Sequence, residues 1–232
     1  MGDTTFSWEL FTKFPVIGIL RHLSMEEVKE ILPIYKEQGL TTVEITMNTR
    51  NAGDMIRHAA SLFGKSLNIG AGTVCSLADL DIALDAGAGF IVTPIVNHQV
   101  INECVRKGIP VFPGAFTPTE VYTALSLGAE IVKIFPANSL GPAYIEEIRG
   151  PLNQVKLLPT GGIGFDNCID FLASGAAGLG IGSQLFSRDM IDQKDWKALA
   201  DHFSLFVKKI GDYQFRSNQP ENPARLHSAD NL

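Results

Sequence analysis

Cysteine and long apolar runs are scarce in this chain of 232 residues. The three cysteines, Cys75, Cys104 and Cys168, lie far apart without a CxxC pair, so the sequence suggests neither a zinc site nor a disulfide framework. No run approaches the roughly 20 apolar residues that a membrane helix needs. The first residues also lack the basic start and continuous apolar core of a signal peptide. These absences predict a cytoplasmic protein with no membrane partner.

An excess of positive charge is also missing. The chain has 19 lysines and arginines against 25 acidic residues, a formal net charge of −6, which argues against nucleic acid as the main partner. Its five histidines show no HxH or HExxH spacing, so we expect no metal ion. The segment 178–183, GLGIGS, has the wrong spacing for a dinucleotide-binding loop. We therefore expect no cofactor.

What the chain does contain is a repeated alternation of short β-rich runs and amphipathic helices. Such alternation implies parallel strands joined by right-handed crossovers. Eight units favour a closed (β/α)8 TIM barrel over an open doubly wound sheet. Helices are predicted at 165–173 and 194–210, among others. The predicted strands are 16–20, 41–47, 68–71, 90–93, 110–112, 131–135, 155–158 and 179–181.

The predicted organisation has three parts. Residues 1–14 form a short helical lead-in, and residues 15–212 form the barrel. Residues 213–232 are polar and carry two prolines, which predicts a loosely ordered C-terminal tail.

A single lysine, Lys133, interrupts the apolar run of the sixth predicted strand. Strand side chains alternate between faces, so Ile131, Lys133 and Phe135 share one face. An ammonium group among apolar neighbours loses hydration, which lowers its pKa and raises the fraction of free amine. A free lysine amine can attack a carbonyl and form a Schiff base. The alternative is a strand-end lysine that pairs with a carboxylate.

Polar side chains gather at the predicted C-terminal strand ends, where barrel enzymes build their active sites. They are Arg21, Glu44, Thr73, Thr93, Lys133 and Thr160. Glu44 shares a strand face with Thr42 and Thr46. If the opposite face packs on helices, Glu44 points into the barrel mouth and is a candidate proton shuttle. The alternative is a buried Glu44–Lys133 ion pair that performs no reaction.

Two glycine clusters follow the last two predicted strands, at 160–164 (TGGIG) and 178–183 (GLGIGS). Glycine lets backbone N–H groups approach an anion closely. Loops after strands seven and eight are the usual phosphate site of TIM barrels. These clusters therefore predict a phosphate site, with tight turns alone as the alternative.

Seven motifs carry a family resemblance: VEITMNT, IGAGTV, IVTP, PVFPGAFTPTE, VKIFPA, LPTGGI and GIGS, in this order. Over about residues 14–210 the chain resembles the bacterial 2-keto-3-deoxy-6-phosphogluconate (KDPG)/4-hydroxy-2-oxoglutarate (KHG) aldolases. The resemblance implies a class I, metal-free, Schiff-base aldolase on a (β/α)8 barrel. It also implies a homotrimer that acts on a small phosphorylated keto acid.

The resemblance assigns roles to individual residues. Lys133 would form the Schiff base and Glu44 would be the acid/base. Thr73 and Pro94 would line the pyruvate pocket, Phe135 would pack beside the imine and Thr160 would contact the substrate. The phosphate would be held by Gly161, Gly162, Gly182 and Ser183.

One position departs from the family pattern. Many members read E-x-T-x-R in the second strand, whereas this chain has Asn48 at the arginine position. Relatives that act on the galactonate epimer also have asparagine there and use an arginine in an ILR motif, which here is Arg21. Arg21 is therefore the predicted substrate-anion contact, with Arg50 as a weaker substitute.

The expected reaction is cleavage of KDPG to pyruvate and glyceraldehyde 3-phosphate, and possible cleavage of 4-hydroxy-2-oxoglutarate to pyruvate and glyoxylate. The galactonate epimer is the nearest alternative substrate. More remote alternatives are a phosphosugar isomerase or epimerase and a non-catalytic ligand-binding barrel.

Overall fold

Short parallel strands alternate with helices through residues 5–217, which are the residues that the computed structural model describes. The strands are β1 (Val16–Leu20), β2 (Thr42–Thr46), β3 (Asn68–Gly72), β4 (Ile91–Val92), β5 (Val111–Phe112), β6 (Gly114–Ala115), β7 (Val132–Ile134), β8 (Leu157–Pro159) and β9 (Leu179–Ile181). The helices are α1 (Trp8–Lys13), α2 (Met25–Glu37), α3 (Ala52–Phe63), α4 (Leu77–Asp85), α5 (His98–Lys107), α6 (Pro118–Ser126), α7 (Pro142–Arg149), α8 (Cys168–Ala173), α9 (Arg188–Asp192) and α10 (Trp196–Ser217).

The strands pair in parallel in two groups. One has the order β5-β4-β3-β2-β1-β9 and the other has the order β6-β7-β8. Only Pro113 separates β5 from β6, and proline has no N–H to donate to a ladder. At the other edge, Thr160 forms a parallel bridge with Gly180 of β9. The chain is thus an α/β protein with a curved parallel sheet, as its alternating pattern predicts.

Helix starts are fixed by side-chain caps that are readable in the sequence. Ser24 and Glu27 form a capping box at α2, in which the Glu27 carboxylate accepts the Ser24 N–H at 2.6 Å. Thr117 and Glu120 form a second box at α6, where Pro118 occupies the first turn. The first of these caps fixes where the loop after β1 stops, and that loop carries Arg21.

The N-terminal ends of the strands are covered by α1 and an aromatic cluster. Asn68, at the start of β3, accepts the Ser7 N–H at 2.7 Å and donates to the Ser7 carbonyl at 2.9 Å. The ring centroid of Phe6 lies 5.2 Å from that of Phe90, and Phe11 is buried beside them. Because this end is closed by packed rings, a ligand must enter at the C-terminal strand ends.

Several predicted boundaries were wrong. The last helix does not stop before residue 213, because Tyr213 extends its buried face one turn beyond Ile210 and α10 runs to Ser217. Residues 218–232 of the predicted tail, and residues 1–4 of the lead-in, lie outside the described residues. Helix α8 begins three residues later than predicted, and α9 was not predicted. Within residues 5–217, no helix combines the length and apolarity required to cross a membrane.

Candidate active site

Lys133 lies at the centre of β7 and is only 3% exposed. Its strand neighbours in register are Gly114 and Leu158, and its Nζ lies 5.0 Å from the centroid of the Phe135 ring. Burial lowers the pKa of the amine. Glu44 opposes this shift and Arg21 adds to it, but the loss of hydration is the larger effect. The lysine therefore has the environment that favours a free amine.

Glu44 lies on β2 and is 1% exposed. Burial raises the pKa of its carboxyl group, against the attraction of Lys133 and Arg21. Its Oε1 is buried and has no hydrogen-bond partner within residues 5–217. In the same range, no nitrogen–oxygen distance of 4.0 Å or less joins Glu44 to Lys133. The two groups interact electrostatically, but they do not form the buried ion pair that was the alternative to a catalytic role.

Gly72 at the end of β3 makes room for this carboxylate. It pairs in register with Thr46, two residues beyond Glu44. A methyl group at Gly72 would overlap the Glu44 carboxylate, so any larger residue would push the acid from its position. The local sequence of β3 thus determines where the acid of β2 can lie.

A cavity of about 380 Å³ opens beside the lysine. Phe135 connects the two, since its ring lies near Lys133 Nζ and also lines the cavity. The substrate-binding residues predicted from the sequence that line this cavity are Arg21, Phe135, Thr160, Gly161, Gly162, Gly182 and Ser183. Lys133, Glu44, Thr73 and Pro94 are not among its lining residues.

The glycine clusters present free donors to this cavity. Gly161 and Gly162 have φ values of +92° and +73°, which side chains rarely adopt. The backbone N–H groups of Gly162, Gly182 and Ser183 donate to no other group within residues 5–217. Tight turns alone do not explain three free donors around one cavity, whereas an anion could accept all of them.

Thr73 and Pro94 follow β3 and β4 rather than lining the cavity. Thr73 is left-handed, with φ +56°, and this is strained for a β-branched residue by about 1–3 kcal/mol. Pro94 passes directly over Gly114, where a methyl group would lie 2.5 Å from the Pro94 carbonyl. Because Gly114 is the register partner of Lys133, Pro94 lies near the lysine.

Sequence reasoning missed several residues of the cavity. They are Ile19, His22, Leu23, Ile163, Gln184, Phe186 and Arg188. A second cavity of about 410 Å³ adjoins the first and shares His22, Leu23 and Arg188 with it. Arg50 lines only this second cavity, whereas Arg21 lines the first. The one available signal was the basic side chain of Arg188, five residues after the last glycine cluster ends at Ser183.

Metal-ligating side chains do not gather in this region. Residues 5–217 contain no group of three or more histidine, cysteine or acidic side chains that could hold a metal ion.

The model of the family described as KDPG and KHG aldolase matches residues 9–201. The chain is 35% identical to 2-dehydro-3-deoxy-6-phosphogalactonate aldolase of Escherichia coli K12, over 75% of this chain and 86% of the relative. It is 30% identical to 2-dehydro-3-deoxy-phosphogluconate aldolase of Haemophilus influenzae, over 88% and 96%. A solved KDPG aldolase from Legionella pneumophila, with pyruvate captured as a covalent carbinolamine, has a TM-score of 0.79 at 26% identity and covers 84% of this chain and 95% of its own.

Proposed function

The chain belongs to the KDPG and KHG aldolase family, and we propose that it cleaves KDPG into pyruvate and glyceraldehyde 3-phosphate through a Schiff base at Lys133. The observation that carries this assignment is the buried Lys133, whose pKa is lowered and which interacts electrostatically with the buried carboxyl group of Glu44. Family membership makes the protein a class I lyase. A capacity to cleave 4-hydroxy-2-oxoglutarate to pyruvate and glyoxylate belongs to the same proposal.

The reaction begins when the free amine of Lys133 attacks the C2 ketone of the substrate. Loss of water from the carbinolamine gives an imine, which accepts electrons. Glu44 takes the proton of the C4 hydroxyl, the C3–C4 bond breaks and the aldehyde leaves, while the bonding electrons form an enamine. Glu44 then returns a proton to C3, and water hydrolyses the imine to free pyruvate and the lysine. A carboxyl group of raised pKa suits this exchange of base and acid roles.

We assign the substrate phosphate to Gly161, Gly162, Gly182 and Ser183, the last three of which have N–H groups that donate to no other group within residues 5–217. Holding the distant phosphate supplies binding energy that positions the reacting carbons. Arg21 lines the same cavity and interacts electrostatically with Lys133 and Glu44. It is our candidate for the substrate carboxylate, and Thr73, Pro94, Phe135 and Thr160 complete the proposed site.

We further infer that the strands close into an eightfold (β/α)8 barrel. In this interpretation β5 and β6 are one strand interrupted at Pro113. The bridge between Thr160 and Gly180 joins the β6-β7-β8 group to β9 at its other edge.

A homotrimer is proposed for the assembly. Exposed apolar side chains, including Ile82 (52%), Ile95 (52%) and Tyr122 (60%), are available for subunit contacts in this chain. Sedimentation equilibrium should give a mass three times the 25.2 kDa of the chain, and a monomer would contradict the proposal.

Borohydride trapping tests the central claim. Reduction in the presence of pyruvate should add a reduced pyruvyl group to Lys133, as measured by peptide mass, and Lys133→Met should abolish both the adduct and cleavage. Lys209→Met is a matched control, because Lys209 Nζ also lies over a phenylalanine ring, 4.2 Å from the Phe165 centroid, but on the outer helix α10. An unlabelled Lys133, or full activity in Lys133→Met, would refute the proposal.

The galactonate epimer is the second candidate substrate. Asn48, the placement of Arg21 in the first cavity and the similarity to a phosphogalactonate aldolase favour it. Initial rates of pyruvate formation from the two purified epimers decide between them. Absence of pyruvate from both, with no trapping, would instead favour a phosphosugar isomerase or a non-catalytic barrel.

A further inference from the structure

Arg188 lies where the two cavities described above meet. It lines the first cavity together with Gly162, Gly182 and Ser183, and it also lines the second. It is the first residue of α9 and follows the loop that carries Ser183. An arginine at this boundary can reach a group that extends out of the glycine-lined end of the first cavity.

Two carboxylates from different helices orient the guanidinium group. Its Nε lies 2.8 Å from Asp192 Oδ1, and its Nη2 lies 3.3 Å from Glu27 Oε1. Glu27 is itself held by its capping hydrogen bond from Ser24. Nη1 donates no hydrogen bond within residues 5–217. The side chain is thus anchored on one edge while part of its donor fork stays free.

The first cavity is lined by positive charge without negative charge. Arg21 and Arg188 are its permanently charged lining residues, and no aspartate or glutamate lines it, although the chain carries a net charge of −6. Arg21 is electrostatically coupled to Lys133 and Glu44, whereas Arg188 belongs to the end shared with the second cavity. A ligand with an anion at each end matches this arrangement.

We propose that Arg188 binds the terminal phosphate of the substrate and makes the enzyme prefer the phosphorylated acid over the same acid without phosphate. The inference rests on the proposed function and extends it. Backbone N–H groups supply fixed dipoles at the phosphate, and the guanidinium supplies the positive charge and planar donor fork that a phosphate dianion favours. An uncharged hydroxyl at the same carbon would gain little from either.

Steady-state kinetics of Arg188→Met on the two acids test the proposal. We expect KM for the phosphorylated acid to rise about tenfold, the equivalent of about 1.4 kcal/mol, while kcat/KM for the unphosphorylated acid stays within about twofold. Arg188→Lys keeps the charge but loses the fork, and its KM should lie between those of wild type and Arg188→Met. The amount of pyruvate trapped on Lys133 should not change.

Arg57→Met is the matched control. Arg57 is similarly exposed and is paired with Asp54 at 2.9 Å on α3, and it lines neither cavity. An Arg188→Met enzyme that keeps the wild-type KM for the phosphorylated acid would overturn the proposal. Equal losses on both acids with a lowered melting temperature would also overturn it, because they indicate a structural role. Failure of wild type to release pyruvate from either acid would instead refute the proposed function.

Discussion

Replacing Glu44 by glutamine should make the protein more stable and nearly inactive. The carboxyl group is 1% exposed, its Oε1 has no partner within the described residues, and no contact ion pair compensates for the lost hydration. Replacing a buried carboxylate that lacks such compensation by a neutral amide is worth about 1–2 kcal/mol. For a chain of this length, that gain raises the melting temperature by about 3–6 °C. Loss of a general acid/base should lower kcat for cleavage by about 10²–10⁴-fold.

The stability that Glu44→Gln gains over wild type depends on pH, because the pKa of Glu44 is raised. Above its ordinary pKa of 4.5, the unfolded chain releases the Glu44 proton while the folded protein retains it. Wild-type stability therefore falls as pH rises from about 4.5 to the folded pKa, and the Gln variant lacks this loss. The difference in melting temperature should be small at pH 4 and grow above it.

Calorimetry across that pH range and a coupled pyruvate assay measure the two effects. Glu130→Gln is the control, since Glu130 is an exposed residue three positions before Lys133, and it should change neither quantity. A Glu44→Gln enzyme that melts at a lower temperature than wild type would refute the reasoning about burial. One that retains wild-type kcat would refute the proposed role of the acid.

Two further substitutions test the frame around the site. Gly162→Ala should cost about 1–2 kcal/mol of stability, because φ is +73° and a methyl group would overlap the Asn138 side chain. The same substitution should raise KM for the phosphorylated acid, and unchanged kinetics would contradict the phosphate assignment. Tyr35→Phe should lower the free energy of unfolding, measured with denaturant, by about 1–2 kcal/mol and change kcat little, since the buried Tyr35 hydroxyl donates to the Thr42 carbonyl at 2.7 Å. An unchanged unfolding midpoint would show that this hydrogen bond is energetically neutral.

The alternation of parallel strands and helices could be predicted because local rules determine it. Capping pairs such as Ser24–Glu27 and helix-ending glycines such as Gly39 and Gly128, both at positive φ, act over a few residues. The continuation of α10 through Gly211 could not be predicted in this way. There, Tyr213 finds a packing partner in the core, and tertiary contact overrides the local preference of glycine.

The structure brings part of the predicted site together: the predicted glycine-cluster residues line one cavity, and Lys133 lies near it through Phe135. Arg188 was missed because α9 is a five-residue helix without a side-chain cap that the sequence could reveal. Its position at the cavity also depends on an ion pair with Glu27, which is distant in sequence. The exclusion of Pro94 from the cavity lining likewise depends on how the loop after β4 folds over β6. Neither fact is encoded in the spacing of a motif.

The absence of a contact ion pair between Lys133 and Glu44 bears directly on the chemistry. At 4 Å and an effective dielectric constant of about 20, a carboxylate stabilises an ammonium group by about 4 kcal/mol, which would raise the pKa of the amine. Such contact would reverse much of the lowering that burial produces and would leave little free amine to attack a ketone. Because no such contact forms within the described residues, burial remains the dominant influence on Lys133. The acid can then act on the substrate rather than hold the lysine in its protonated state.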